Sequence, residues 1–365
     1  MKITIVAGAR PNFMKIAPII EAIKQKQKEG LNIHFRLVHT GQHYDKNLSD
    51  TFFEELHIPF PDKNLEVKSG SQAEQTAGIM IGFEHELQQN PCDLVLVVGD
   101  VTSTMACTIV AKKAGIKVAH VEAGIRSGDM RMPEEINRIV TDSLTDYFFT
   151  TSTYANENLL KLGVEKDRIF FVGNVMIDTI RKNESRFKKP KLWDEFNLKE
   201  KSYFVLTLHR PSNVDEENNL KSLIHQITSL AGDFPIIFPV HPRTRNVLER
   251  LHLNFPNLHF VNPLGYLEFN FLVKYAMGVL TDSGGITEET TVMNVPCITL
   301  RENTERPETC KIGTNVLVGN DAEKIASSFK LLLSGNWKQG EIPDLWDGKA
   351  AVRIVEYLVE IYQLK

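Results

Sequence analysis

Long apolar runs, clustered cysteines and a dominant charge of one sign are all missing from this chain of 365 residues. No apolar stretch reaches the roughly 20 residues that a membrane-spanning helix needs. The apolar run Ile3–Ala7 is stopped by Gly8-Ala9-Arg10-Pro11, so no secretory signal is read there. The four cysteines, Cys92, Cys107, Cys297 and Cys310, form no C-x-x-C and no metal-ligand spacing. They are expected to be reduced thiols of a cytoplasmic protein. A net charge of −4 argues against nucleic acid or an acidic membrane as the main partner. Neither a G-x-G-x-x-G nor a Walker loop follows the first strand, which weakens a dinucleotide or ATP reading. There is no fixed-period repeat and no low-complexity segment.

What remains is an ordinary globular composition, 42% hydrophobic and 24% charged, at a length that favours two domains. Strands and helices alternate almost from end to end. Strands are expected at 2–7, 32–39, 93–99, 117–122, 146–151 and 168–173. Helices are expected at 15–28, 46–56, 72–89, 103–114, 133–145 and 153–162. That series predicts an α/β fold with a doubly wound parallel sheet. The charged stretch 184–201 breaks the pattern and reads as a linker. Alternation resumes from 202 and gives a second sheet domain, 202–345. The first domain spans 1–183, and a final amphipathic helix within 346–365 is expected to pack back on it. Two Rossmann-like domains of this kind are expected to face each other across a cleft.

Chemistry-bearing residues gather where strands end, the place where open α/β sheets keep their sites. Residues 119–138, AHVEAGIRSGDMRMPEEINR, run from a strand through a charged loop into a helix opened by Pro133 with Glu134 and Glu135. Arg126, Asp129 and Arg131 read as loop holders. Gly8 to Lys15 offers a tight turn, a helix N-terminus and two cations, Arg10 and Lys15, where an anion would sit. Asp100 ends the central strand and reads either as a helix cap or as a catalytic acid. His209-Arg210 and His241 stand at the ends of second-domain strands. Thr281-Asp282-Ser283-Gly284-Gly285 leads from a strand into a helix, a nest of N–H groups suited to a diphosphate. An acid a few residues into that helix could reach the hydroxyls of a ribose. Arg301 and Arg306 add cations to the same rim.

Taken together these stretches resemble the non-hydrolysing UDP-N-acetylglucosamine 2-epimerase family. The matching pieces are GARPNFMKIAP (8–18), GQH (41–43), GDVTST (99–104), HVEAGIRSGD (120–129), PEEINR (133–138), HR (209–210), PVHPRT (239–244), LTDSGGITEE (280–289) and TERPE (304–308). They run in the family's order over nearly the whole chain.

The resemblance implies a GT-B or glycogen phosphorylase-like pair of domains and reversible inversion of C2 of a UDP-2-acetamido sugar. UDP leaves to give a 2-acetamidoglucal and then adds back. It assigns Asp100, Glu122 and Glu134 as catalytic acids, with Arg10, Lys15 and His209 near the departing diphosphate. Ser283, Gly284, Gly285, Glu289, His241 and Arg306 would bind UDP, Glu289 through the ribose hydroxyls. Gln42, His43 and Arg210 mark an activator site. A homodimer is expected, with no metal and no redox cofactor. Ala9 stands where the family often has Thr, and Asn12 where it often has Glu. GARP followed by Phe is similar to relatives acting on UDP-2,3-diacetamido-glucuronate. That sugar, a hydrolysing 2-epimerase and a GT-B glycosyltransferase are the alternative readings, with a non-catalytic nucleotide-sugar binding protein in last place.

Overall fold

A computed structural model describes the chain except residues 42–54, 69, 241, 252 and 365. At residues 10, 211, 212, 242–244, 246 and 249 the backbone alone is described. The helix expected over 46–56 therefore lies largely outside the described residues. Two compact units divide the rest, Met1–Lys182 with Asp344–Lys365, and Asn183–Pro343.

The first unit runs β1 (Lys2–Ala7), α1 (Arg10–Lys28), β2 (His34–His39), β3 (Lys63–Asn64), α2 (Gln72–Gln89), β4 (Leu94–Val98), α3 (Thr102–Lys113), β5 (Lys117–Val121), α4 (Pro133–Leu144), β6 (Tyr147–Thr150), α5 (Thr153–Lys161), β7 (Ile169–Phe171) and α6 (Val175–Asn183). Its sheet has the order β3-β2-β1-β4-β5-β6-β7 with every pairing parallel. β4, Leu-Val-Leu-Val-Val, is buried along its whole length, as a central parallel strand covered on both faces requires.

α1 begins five residues before the expected Lys15. Pro11 suits a first helical turn, where a missing N–H costs nothing. Asn12 Oδ1 accepts from the Gly8 and Ala9 N–H groups at 3.0 Å each, and its Nδ2 donates to the Val98 carbonyl at 3.2 Å. The turn after β1 is thus tied to the end of β4. α6 was not foreseen. It starts after Asn174, whose Oδ1 accepts from Met176 N.

The second unit runs α7 (Leu192–Glu195), β8 (Phe204–Thr207), α8 (Pro211–Val214), α9 (Glu217–Ala231), β9 (Ile236–Pro239), α10 (Pro242–Leu251), β10 (Leu258–Val261), α11 (Tyr266–Tyr275), β11 (Gly278–Thr281), α12 (Gly284–Val292), β12 (Cys297–Thr299), α13 (Pro307–Lys311), β13 (Asn315–Leu317) and α14 (Ala322–Leu333). Its parallel sheet has the order β10-β9-β8-β11-β12-β13. Phe204, Leu206, Phe238, Leu280 and Ile298 form the centre of one of its cores. Leu192 and Leu198 from the expected linker stretch are buried with Tyr203, Val205 and Ile237 in another.

α15 (Ala350–Ile361) belongs to the first unit and packs on α1. Its start is held by Asp178 of α6, which accepts from Ala350 N at 3.1 Å and Ala351 N at 2.7 Å. Trp346, almost fully enclosed, donates from Nε1 to the Thr151 carbonyl. No described helix is long and apolar enough to cross a membrane.

Both sheets reverse their order beside the first strand, between β1 and β4 and between β8 and β11. Ligand sites of open α/β sheets lie at such points, past the carboxyl ends of the strands.

Candidate active site

In the first unit two carboxylates stand at the carboxyl ends of adjacent strands, β4 beside that point and β5 next to it. Gly99 and Asp100 follow β4, and Glu122 follows β5. Glu122 adopts φ +69°, the left-handed region that an L side chain enters only when its surroundings impose it. The imposing contacts are visible. Glu122 N and Ala123 N both donate to the Phe149 carbonyl, at 3.0 and 3.1 Å, a bulge that turns the chain out of the sheet. The residue is 3% exposed, and its Oε2 meets Lys15 Nζ at 2.7 Å. Gly99, at φ +67°, lies beneath this pair. A Cβ there would stand 3.0 Å from Lys15 Nζ and 3.9 Å from Glu122 Oε2.

Asp100 is held by Arg138 of α4, with Nη2 at 2.6 Å and Nε at 3.1 Å from Oδ2. Its carbonyl accepts from Asn137 Nδ2 at 2.8 Å. Arg138 also pairs with Glu135 at 2.7 Å. Glu135 is the clamp of the loop before α4, accepting from Ser127 N, Ser127 Oγ and Gly128 N. Burial pushes its carboxyl up, but these donors with Arg138 win and hold it below the usual range. Glu134, its neighbour in the first turn, is half-buried.

In the second unit His209 stands two residues past the end of β8, and Asp282 directly follows β11. His209 Nδ1 lies 2.8 Å from Asp282 Oδ1. Asp282 also accepts from the backbone N–H of His209 and Arg210 and from Asn213 Nδ2 at 3.1 Å. Burial acts to raise its carboxyl, yet His209 and these donors bring it below the usual range. The carboxylate fixes Nδ1 as the proton-bearing nitrogen and turns the 55%-exposed ring so that Nε2 faces outward.

Ser283 caps α12 without any side-chain hydrogen bond to the helix N–H groups. Neither Gly284 nor Gly285 has a positive φ. A Cβ on Gly284 would meet nothing nearer than 3.8 Å, and one on Gly285 nothing within 4 Å. The fold itself therefore does not demand glycine at either position. Arg301 pairs with Glu305 at 2.7 Å beside Gly284.

Comparison with known proteins fits this geometry. The family model for UDP-N-acetylglucosamine 2-epimerase matches residues 24–359. The chain belongs to that family. It is 42% identical to the UDP-N-acetylglucosamine 2-epimerase of Methanocaldococcus jannaschii, over 98% of this chain and 99% of the relative. It is 38% identical to a UDP-2,3-diacetamido-2,3-dideoxy-D-glucuronate 2-epimerase of Pseudomonas aeruginosa, over 99% and 100%. The crystal structure of the Methanocaldococcus jannaschii UDP-GlcNAc 2-epimerase in complex with UDP-GlcNAc and UDP superposes with a TM-score of 0.87, covering 99% of this chain and all of that one.

Of the residues expected from this epimerase family, the structure gathers Asp100, Glu122 and Lys15 at one sheet edge and His209, Ser283, Gly284 and Gly285 at the other sheet's corresponding edge. The ammonium of Lys15 is committed to Glu122. Arg306 is 9% exposed and its Nε pairs with Glu288, so in this structure it braces α12. Arg210 is likewise engaged in the fold, donating from Nε to the Asp282 carbonyl and reaching Glu305 at 3.4 Å. His241, Gln42 and His43 lie outside the described residues, as does the side chain of Arg10. Sequence reasoning missed Asp282 and underrated Glu135. The signal for Asp282 was present in Thr281-Asp282-Ser283, an acid just past the end of β11, the strand paired with the one that leads to His209.

Glu289 sits buried on α12 against Tyr266 and Asn270, its carboxyl pushed up to about 8 by burial and by Glu288. The native state thus retains a proton that the unfolded chain releases near pH 4.5. Stability from this group is complete below that pH and is lost as pH rises towards 8, by at most about 1.4 kcal/mol per unit. Glu289→Gln should raise the melting temperature at pH 8 and leave it nearly unchanged at pH 5, as read by scanning calorimetry.

Proposed function

We propose that this enzyme interconverts UDP-GlcNAc and UDP-ManNAc by eliminating and re-adding UDP. The C2 proton is not acidic, because no carbonyl adjoins that carbon, so its removal must be coupled to loss of a good leaving group. A carboxylate takes the C2 proton, C2=C1 forms, and the C1–O bond breaks with its electron pair going to the β-phosphate of UDP. A carboxylic acid then returns a proton to the other face of C2, and UDP adds back at C1.

The observation that carries this reading is the pair of carboxylates, Asp100 and Glu122, at the carboxyl ends of adjacent strands. Arg138 pairs with Asp100 and Lys15 with Glu122. Glu134 assists near the reacting carbons. The N-terminus of α12 with Ser283, Gly284 and Gly285 is suited to the diphosphate, and the Asp282-supported His209 to the charge or proton of the leaving oxygen. Glu289 is assigned to the ribose hydroxyls, which Glu289→Ala tests as a direct loss of UDP affinity. The relative's complex with UDP-GlcNAc and UDP supports the substrate class.

Turnover in heavy water should place deuterium at C2 of the UDP-sugar, read by NMR, with UDP-sugars as the only end products. Reversible turnover without label at C2 sinks the elimination. Release of free ManNAc with UDP identifies the hydrolysing reaction instead. The Pseudomonas aeruginosa relative favours one second reading, a UDP-2,3-diacetamido-glucuronate substrate, and parallel assays on both UDP-sugars discriminate. The same reading makes the enzyme a cytoplasmic homodimer, which light scattering can measure for the dimer.

A further inference from the structure

His120 and Asp142 take no part in the chemistry above, yet they lie directly under it. His120, on β5, has no exposed surface, and Asp142 of α4 is 3% exposed. His120 Nδ1 lies 2.7 Å from Asp142 Oδ1, and Nε2 lies 2.8 Å from the Gly99 carbonyl. A carbonyl can only accept. Asp142 Oδ2 already accepts from Gly124 N at 3.1 Å and from Arg126 Nη1 at 2.7 Å. Burial acts to raise the Asp142 carboxyl, but His120 and Arg126 outweigh it and the carboxyl lies below the usual range. Asp142 is therefore an acceptor too. A neutral imidazole has one N–H and cannot donate to both partners, so both ring nitrogens carry a proton.

The peptide so gripped is the one before Asp100. Gly99 N donates to the Val121 carbonyl at 3.0 Å, next to Glu122 in sequence. With its carbonyl held by His120, Gly99 has both backbone groups fixed to β5. Asp142 meanwhile anchors Gly124, just past Glu122. One buried ion pair thus touches the chain just before Asp100 and just after Glu122.

We propose that His120, as an imidazolium paired with Asp142, is a positioning residue that sets the placement of Asp100 relative to Glu122. The inference rests on the reading that these two carboxylates perform the proton transfers.

Two substitutions dissect it in the full-length enzyme. His120→Gln can place an amide N–H where Nε2 stood and keep the Gly99 bond. His120→Asn can place one where Nδ1 stood, keeping Asp142 and losing Gly99. His120→Asn should lower kcat by about 100-fold, the scale of an ångström-sized misplacement, with KM and the Kd for UDP within about threefold. His120→Gln should retain about ten times more of the rate. Equal losses in the two variants, or a parallel loss of UDP affinity, overturn the proposal. Nitrogen-15 NMR of histidine-labelled wild-type enzyme at pH 7.5 decides it even if the variants fold poorly. Both His120 nitrogens should show a bonded proton, and one bare nitrogen refutes the imidazolium. Failure of the functional reading shows separately, as wild-type enzyme that puts no deuterium into C2 of UDP-GlcNAc; the NMR result stands apart from it.

Discussion

Glu122→Gln should lower the epimerisation rate by about 10³-fold, within the range for loss of a general acid or base, and leave the Kd for UDP within about threefold. The amide is the same size as the carboxylate, so the left-handed backbone at 122, fixed by the two N–H bonds to Phe149 O, has no reason to change. What is lost is the ability to take or return a proton and the anionic partner of Lys15. Lys15 is 12% exposed, so its ammonium can turn towards water, and the cost should stay below the roughly 3 kcal/mol typical of breaking a wholly buried pair. UDP affinity should survive because Ser283, Gly284, Gly285 and Glu289, proposed to hold the diphosphate and ribose, belong to the second unit. Steady-state rates with isothermal titration of UDP measure both halves of the result. A near wild-type rate would remove Glu122 from the chemistry.

The strands were legible because burial on both faces writes itself as unbroken apolar runs, as in Leu94–Val98. Their ends were legible for the opposite reason, since charge at a strand terminus stands out against such a run. Glu122, Asp100 and the Ser283-Gly284-Gly285 turn were singled out this way. The partners that fix them were not, because they come from distant parts of the chain. Asp282 lies 73 residues from His209, and Arg138 lies 38 from Asp100. No local pattern declares such a pair; only the strand order, which sets β8 beside β11, brings the first together. Arg306 shows the converse. A cation near a phosphate-type turn reads as a ligand for the phosphate, yet Glu288, one turn into α12, takes it up. The start of α1 at Arg10 was missed because the Asn12 side chain closes the turn by bonding to Gly8, Ala9 and Val98, the last of them on another strand.

Asp282→Asn should cut kcat/KM by about 10²-fold or more, although Asp282 itself need not touch the substrate. An amide offers one oxygen where the carboxylate offers two, and its NH2 group faces donors. His209 N, Arg210 N and Asn213 Nδ2 then compete for a single acceptor, at a cost of about 2 kcal/mol for the donors left unpaired. His209 loses the partner that holds the proton on Nδ1, so its outward nitrogen is no longer fixed as the reacting one. The carboxyl of Asp282 lies below the usual range in the folded protein, so the stability it contributes is present above the unfolded value and lost as pH falls through the folded one. The melting-temperature gap between wild type and variant should therefore narrow below about pH 4. His209→Gln should lower kcat/KM by a similar factor. If the two residues act as one unit, the double variant is no slower than the slower single variant, as expected for groups that share one function. Effects that multiply would mean that His209 and Asp282 serve the enzyme independently.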